Sequence, residues 1–132
     1  MTAAAWAGIV VLRATVAVVL VIHGVARVML GGVAPFGEFL NAQGIPVGHA
    51  VAWTITLTEM LGGALLALGF LVRPLCAFFF VQIAAGIVLV HARAGWFVVG
   101  AGRNGMEFSV LLLAALVCVA LTANGKAKAD RR

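Results

Sequence analysis

The stretch TLTEMLGGALLALGF, Thr56 to Phe70, decides the fold class of this chain. It is apolar almost throughout, and its one charged residue is Glu59. Such a run is typical of a helix that crosses a membrane, where about 17–25 residues span the hydrocarbon core. A carboxylate inside the run is costly to insert, so Glu59 marks a position with a structural or functional task.

The composition extends this interpretation to the whole chain. Of its 132 residues, 64% are hydrophobic and only 10% are charged, which is too little charge for the surface of a soluble domain. Short connections join the apolar stretches, so the sequence predicts an all-α membrane protein built as an antiparallel four-transmembrane-helix bundle. We place the spans at about residues 6–30, 49–71, 75–90 and 106–123, in one domain over 1–125, with a basic tail at 126–132.

A short helix is predicted between the first two spans. The segment FGEFLNAQGIP, residues 36–46, places its two phenylalanines and Leu40 at helical spacing, opposite Glu38 and Asn41. An amphipathic segment of this kind is typical of a helix that lies at the membrane interface.

The net charge of +5 is no sign of nucleic-acid binding. No basic residues alternate with aromatic ones, as they do on surfaces that stack nucleotide bases. Four of the nine basic residues lie in the last seven positions, beside the final span. Positive charge concentrates on the cytoplasmic side of membrane proteins, so both termini are predicted to be cytoplasmic.

Glu59 lies about ten residues from either end of its predicted span, too deep for its side chain to reach the surface. Thr56, Gly62 and Gly63 share its side of the helix, which predicts a face for close helix packing. In such a place Glu59 is either protonated and neutral or paired with a cation. On the inner half of the bundle, Arg13 is the only cation that we expect within its reach.

A second group of polar residues is predicted at the outer end of the bundle. The first helix carries Arg13, Leu20, Gly24 and Arg27 on one face, with His23 beside Arg27. The outer group collects His23, Arg27, His91, Arg93, Arg103 and Glu107.

Two interpretations of these polar residues stay open. In the structural one, Glu59 and Arg13 hold helices together, Glu107 starts the fourth helix, Gln82 bonds between helices and the outer cations contact lipid headgroups. In the functional one, a small pocket holds a quinone head or a lipid headgroup. The candidate ligand-binding residues are then Arg13, His23, Gly24, Arg27, Glu59, Gly63, Gln82, Arg93 and Glu107. Glu59 and Glu107 are the candidates for moving a proton, and no catalytic residue is assigned.

The cysteines and histidines predict no metal site. Cys76 and Cys118 lie in apolar segments without a CxxC pattern, and are expected to be buried and reduced. His23 and His91 do not have the spacing of metal ligands.

Several of these segments resemble the DoxX family when they are taken in order. In LRATVAVVLVIHGVARVM, residues 12–29, Arg13, Gly24 and Arg27 match the first helix of the family, which more often has lysine at the last position. The further segments that resemble the family are FGEFLNAQGIP, TEMLGGALLALGFLVRP at residues 58–74, and NGMEFSVLLLAAL at residues 104–116. The end departs from the pattern: in TANGKAKADRR only Gly125 and Asp130 of the family's closing segment remain.

The resemblance implies a multi-pass protein of the inner membrane of a prokaryote, associated with quinone-linked oxidoreductases or oxidative-stress complexes. It supplies no catalytic residue. We therefore expect a small subunit that anchors or assists a redox complex, without an intrinsic cofactor and with quinone or lipid as its candidate ligand. Its expected partners are the bilayer and other redox subunits, in an oligomer or a larger complex. The alternatives are a quinone-using oxidoreductase component with an intramembrane glutamate, and a carrier of a small solute or lipid.

Overall fold

A computed structural model describes residues 1–123, and the predicted basic tail at 126–132 lies outside these residues. The described chain forms five helices and no strands. They are α1 (Ala3–Met29), α2 (Val33–Ala42), α3 (Gly48–Leu68), α4 (Val72–Ala94) and α5 (Glu107–Thr122). The all-α prediction is confirmed, as is the short helix between the first two spans.

Three of the helices, α1, α3 and α4, are long and apolar enough to cross a membrane. The fourth predicted span is α5, a shorter apolar helix of 16 residues. At a rise of about 1.5 Å per residue it is about 24 Å long, somewhat less than a hydrocarbon core of about 30 Å. The ends of these four helices differ from the predicted ends by one to four residues.

Two of the long helices contain a wide π-helical turn. One turn, Thr58–Gly62, lies inside α3 and contains Glu59, and the other, Ile87–His91, lies near the end of α4. A π turn adds one residue to a helical turn and shifts which side chains share a face on either side of it.

The described chain forms two compact units. The first unit is Ala17–Phe70, which holds the second half of α1 with α2 and α3. The second unit is Met1–Val16 with the chain from Leu71 onward, which holds the start of α1 with α4 and α5.

In the first unit α1 and α3 pack antiparallel at two glycines. Gly63 of α3 faces Ala17 and Val21, and Gly24, further along α1, faces Thr56, earlier on α3. Small residues allow helix backbones to approach closely. The predicted close-packing face of α3 is confirmed, because Thr56, Glu59, Gly62 and Gly63 are all buried.

The short helix α2 packs on the first turns of α3. Val33, Leu40 and Ala52 are the buried members of their hydrophobic cluster. Asn41 Oδ1 accepts a hydrogen bond of 2.7 Å from the Gly48 N–H, the first residue of α3. Glu38 is exposed, as the amphipathic pattern predicts.

In the second unit α4 and α5 are antiparallel. Arg73 at the start of α4 donates from Nε to the carbonyl of Ala120 near the end of α5, at 3.4 Å. The end of α4 lies near the start of α5, because His91 Nδ1 is 2.9 Å from the carbonyl oxygen of Asn104.

Both cysteines are free thiols. Cys76 is buried as predicted, but Cys118 is exposed. The expectation that Cys118 is buried is wrong, because the buried face of α5 carries Ala115, Leu116 and Val119.

Candidate functional site

The first unit contains a buried ion pair centred on Glu59, a residue that is 2% exposed. Arg27 near the end of α1 donates from Nη1 to Glu59 Oε2, and from Nη2 to Glu59 Oε1 at 3.4 Å. This fork-to-carboxylate arrangement fixes the orientation of both side chains. The carboxylate in the apolar helix is therefore paired with a cation, one of the two states that its depth allows.

A threonine hydroxyl extends the pair. Thr56 Oγ1 accepts a hydrogen bond of 3.0 Å from Arg27 Nη1 and donates one of 2.7 Å to the carbonyl of Ala52. Thr56 is completely buried, so its hydroxyl needs partners inside the protein. The three side chains of Arg27, Thr56 and Glu59 form one connected polar cluster, which we call the Arg27 cluster.

An aromatic ring lies against the guanidinium group. Arg27 Cζ is 4.8 Å from the centre of the Phe36 ring, a distance at which cation–π attraction acts. Phe36 lies on α2, so the contact joins the short helix to the other two helices of this unit.

The Arg27 cluster is partly exposed at its guanidinium group. The Arg27 side chain is 20% exposed, whereas the Glu59 side chain is 3% exposed. A guanidinium group has five N–H donors, and three of them are used in the cluster. Within residues 1–123, the other two donors have no acceptor. The cluster can therefore donate hydrogen bonds to a further molecule.

The end of α1 fixes the position of Arg27. Gly31 has a φ of +67°, which a glycine adopts without strain. Its N–H bonds the carbonyl of Val28 at 3.1 Å, and the Gly32 N–H bonds the carbonyl of Arg27 at 2.8 Å. This pair of bonds is the Schellman ending of a helix, and it holds the backbone of Arg27 where α1 stops.

Gly24 brings α1 close enough to α3 for the pair to form. A Cβ atom at Gly24 would lie 2.8 Å from Met60 Cγ and 3.0 Å from the Thr56 carbonyl oxygen. Any side chain at this position therefore requires the two helices to move apart.

The structure gives Glu59 a partner that the sequence analysis does not assign to it. Arg13 is the only cation on the inner half that is expected within reach of Glu59, and Arg27 is placed among the outer residues. Arg27 pairs with Glu59. The close contact of Gly24 with Thr56 and Glu59 places the end of α1 beside the middle of α3.

A comparison with protein families identifies the group to which the chain belongs. The DoxX family model matches residues 8–92, which is more than half of the chain. The chain belongs to the DoxX family. The matched region includes both partners of the ion pair. No curated protein and no solved structure matches this DoxX chain.

The other predicted site residues of this DoxX protein are distributed over both units. In the first unit, Gly24 and Gly63 lie at the contact of α1 with α3, while His23 is exposed and its Nδ1 lies 2.9 Å from the carbonyl oxygen of Val19. The second unit holds the remaining ones, Arg13, Gln82, Arg93 and Glu107. The binding of a ligand by any of these residues stays a prediction.

Glu107 is the first residue of α5 and contacts the loop before it. Its Oε1 accepts a hydrogen bond of 3.0 Å from the backbone N–H of Val98, in the loop before α5. Arg93 is exposed at the end of α4. Within residues 1–123, no group of three or more His, Cys, Asp or Glu side chains has the placement of a metal site.

Sequence reasoning missed the role of Phe36. The pattern of α2 gave it an interfacial position, whereas the structure places its ring on the Arg27 guanidinium. The spacing of residues in the sequence does not indicate which of the two rings, Phe36 or Phe39, contacts Arg27. The contact depends on the turn at Gly31 and Gly32, which sets the direction of α2.

Proposed function

We propose that this DoxX protein is a small integral-membrane subunit that supports a membrane redox complex and holds a quinone or lipid head group beside the Arg27 cluster. The observation that carries the proposal is the partly exposed guanidinium of Arg27, which keeps two N–H donors available. The redox association rests on the resemblance to the family.

The charge of the Arg27 cluster favours a neutral ligand. Glu59 already neutralises Arg27, so a second anion would gain little from the site. An N–H donor without an acceptor is costly in a bilayer, where water is scarce. A carbonyl oxygen, as in a quinone ring or a lipid ester, would accept these hydrogen bonds without adding charge.

Binding of a short-chain quinone to the purified protein in detergent tests the ligand. Arg27→Gln should weaken binding by about tenfold or more, because hydrogen bonds from a charged group contribute roughly 1.5–3 kcal/mol. The double variant R27Q/E59Q removes both charges of the pair and should bind as weakly as R27Q. Arg103→Gln, in the second unit, is the matched control and should bind normally. Equal binding by R27Q and the unaltered protein contradicts the proposed site.

Purification in a mild detergent tests the subunit role separately. We expect one or more redox proteins of the membrane to be recovered with this chain, in a constant ratio through a second chromatographic step. Recovery of the chain alone contradicts the subunit role, whatever the quinone measurement shows.

A second function, a quinone-using oxidoreductase component in which Glu59 moves a proton, is favoured by one observation. Glu59 lies in the π turn of α3, and such turns occur frequently at functional sites. In this case Glu59→Gln abolishes the turnover of the protein that remains folded, although loss of the ion pair with Arg27 also lowers its stability. Residual turnover by the folded Glu59→Gln protein supports the structural role instead.

A further inference from the structure

The loop between α4 and α5 is held together by hydrogen bonds between its own backbone groups. Hydrogen bonds of 3.0 Å join the Met106 N–H to the Gly95 carbonyl and the Glu107 N–H to the Trp96 carbonyl. Further along, the Gly105 N–H bonds Phe97 at 3.0 Å and the Asn104 N–H bonds Val98 at 3.2 Å. The two sides of the loop are therefore paired step by step.

Two side chains attach this loop to the helices beside it. Glu107, the first residue of α5, accepts the hydrogen bond from Val98. His91, in the last turns of α4, contacts the carbonyl of Asn104. The chain at Arg103 is thereby held near the end of α4, which carries Arg93.

The loop exposes apolar and cationic side chains together. Trp96 is 48% exposed, Phe97 46% and Val99 74%. Arg93 and Arg103 are also exposed. Within residues 1–123 neither arginine has a salt bridge, and the carboxylate of Glu107 is bonded to the loop backbone. These five exposed residues form what we call the loop surface.

We propose that the loop surface binds anionic phospholipid, with the lipid phosphate at Arg93 and Arg103 and the rings of Trp96 and Phe97 among the acyl-chain ends. The charges are complementary, because a lipid phosphate is negative and the two arginines have no salt bridge within residues 1–123. Trp is enriched at membrane interfaces, where an apolar ring with one polar group fits best. The position agrees, since α4, a candidate membrane span, ends at Ala94 directly before the loop. This inference is independent of the Arg27 cluster and of a redox partner.

Fluorescence quenching by brominated lipids tests the proposal on the full chain. Trp6→Phe with Trp53→Phe leaves Trp96 as the only tryptophan, and the protein is reconstituted into phosphatidylcholine vesicles that contain phosphatidylglycerol. Bromine is placed on one lipid class at a time, at equal mole fractions. Because each basic residue near a membrane surface favours anionic lipid roughly fivefold, brominated phosphatidylglycerol should quench Trp96 several-fold more than brominated phosphatidylcholine does.

The chain provides a matched control, since Trp53 on α3 is also 48% exposed. A variant that keeps only Trp53 should be quenched equally by both lipids. Adding R93Q and R103Q to the Trp96 variant should remove its preference, and R93K with R103K should restore most of it. Equal quenching of Trp96 by the two lipids overturns the proposal and favours a protein as the partner of this surface. A preference that survives R93Q and R103Q overturns it as well.

Discussion

At the scale of single residues, Arg27 and Glu59 neutralise each other where neither charge is stable alone. Glu59 is 2% exposed and Arg27 reaches it with both terminal nitrogens. An ionised side chain is costly in a membrane helix, and its partner offsets that cost. The pair is therefore a condition for packing α1 on α3, whether or not it also serves a ligand.

Removal of one partner should be more damaging than removal of both. Arg27→Gln and Glu59→Gln each remove one charge of a neutral pair and leave the other charge without that partner. We expect each single change to lower the free energy of unfolding by about 3–5 kcal/mol, as for other buried pairs. R27Q/E59Q should lose less than the sum of the two single changes, because the two amides can bond to each other. Unfolding of the protein from mild detergent into sodium dodecyl sulfate, followed by circular dichroism, measures these values.

Arg103→Gln is the control for these variants, because Arg103 is exposed and has no salt bridge within residues 1–123. It should change the free energy of unfolding by less than about 0.5 kcal/mol. Strictly additive effects of R27Q and E59Q would show that the two side chains do not interact in the membrane.

Gly24 allows a second prediction at this scale. Gly24→Ala places a methyl group 3.0 Å from a backbone oxygen and 2.8 Å from Met60 Cγ. Overpacking of this kind costs about 1–3 kcal/mol, which exceeds the gain of up to about 1 kcal/mol from replacing glycine in a helix. G24A should therefore lower the midpoint of thermal unfolding. Gly8→Ala, in the same helix and with no atom within 4 Å of the new Cβ, should raise it or leave it unchanged.

The sequence could identify the two faces that meet in the Arg27 cluster, but not their register. Helical spacing placed Gly24 with Arg27 on one helix, and Thr56 and Gly63 with Glu59 on the other. Helix spacing does not say how far one helix is shifted along another. That shift depends on tertiary contacts, such as those of Gly24 with Thr56 and of Gly63 with Val21.

At the scale of the elements, the loop from Gly95 to Met106 depends on Glu107. The backbone pairing closes the loop, and the carboxylate supplies the acceptor for the Val98 N–H. A side-chain bond of this kind holds a turn in one arrangement, because the freed N–H would otherwise need another partner. Glu107 is thus the residue that connects the start of α5 with the loop surface.

Glu107→Ala and Glu107→Gln should differ in their effect on this loop. Glutamine keeps a side-chain oxygen and can still accept the Val98 N–H, whereas alanine cannot. Amide hydrogen exchange at Val98 should become roughly tenfold faster in E107A, which corresponds to the loss of a charge-assisted hydrogen bond. In E107Q the rate should stay close to that of the unaltered protein. Equal exchange rates in E107A and the unaltered protein would show that Glu107 does not hold this loop in place.

At the scale of the whole molecule, composition was enough to predict the helices, because an apolar chain in a bilayer must satisfy its backbone within each segment. The helix ends were predicted within four residues, and two of the observed ends lie beside glycines with positive φ, Gly31 and Gly69. The two π turns were not predicted, since apolar residues before and after them fit an ordinary helix equally well.

The number of membrane crossings is the last quantity that the sequence predicts, and α5 decides it. This helix is about 24 Å long by its residue count, so it can cross a core of about 30 Å only if the bilayer thins or its flanking residues extend it. We expect it to cross, because its 16 residues contain one charged residue, Glu107, at the very start. The test uses single cysteines at Thr2, Ala101 and Thr122, in a chain with Cys76→Ala and Cys118→Ala. Each cysteine reports on which side of the membrane its position lies. A membrane-impermeant maleimide should label T2C and T122C from the cytoplasmic face and A101C from the opposite face. Labelling of A101C and T122C from one face would mean that α5 lies along the membrane, and the chain would then have three crossings.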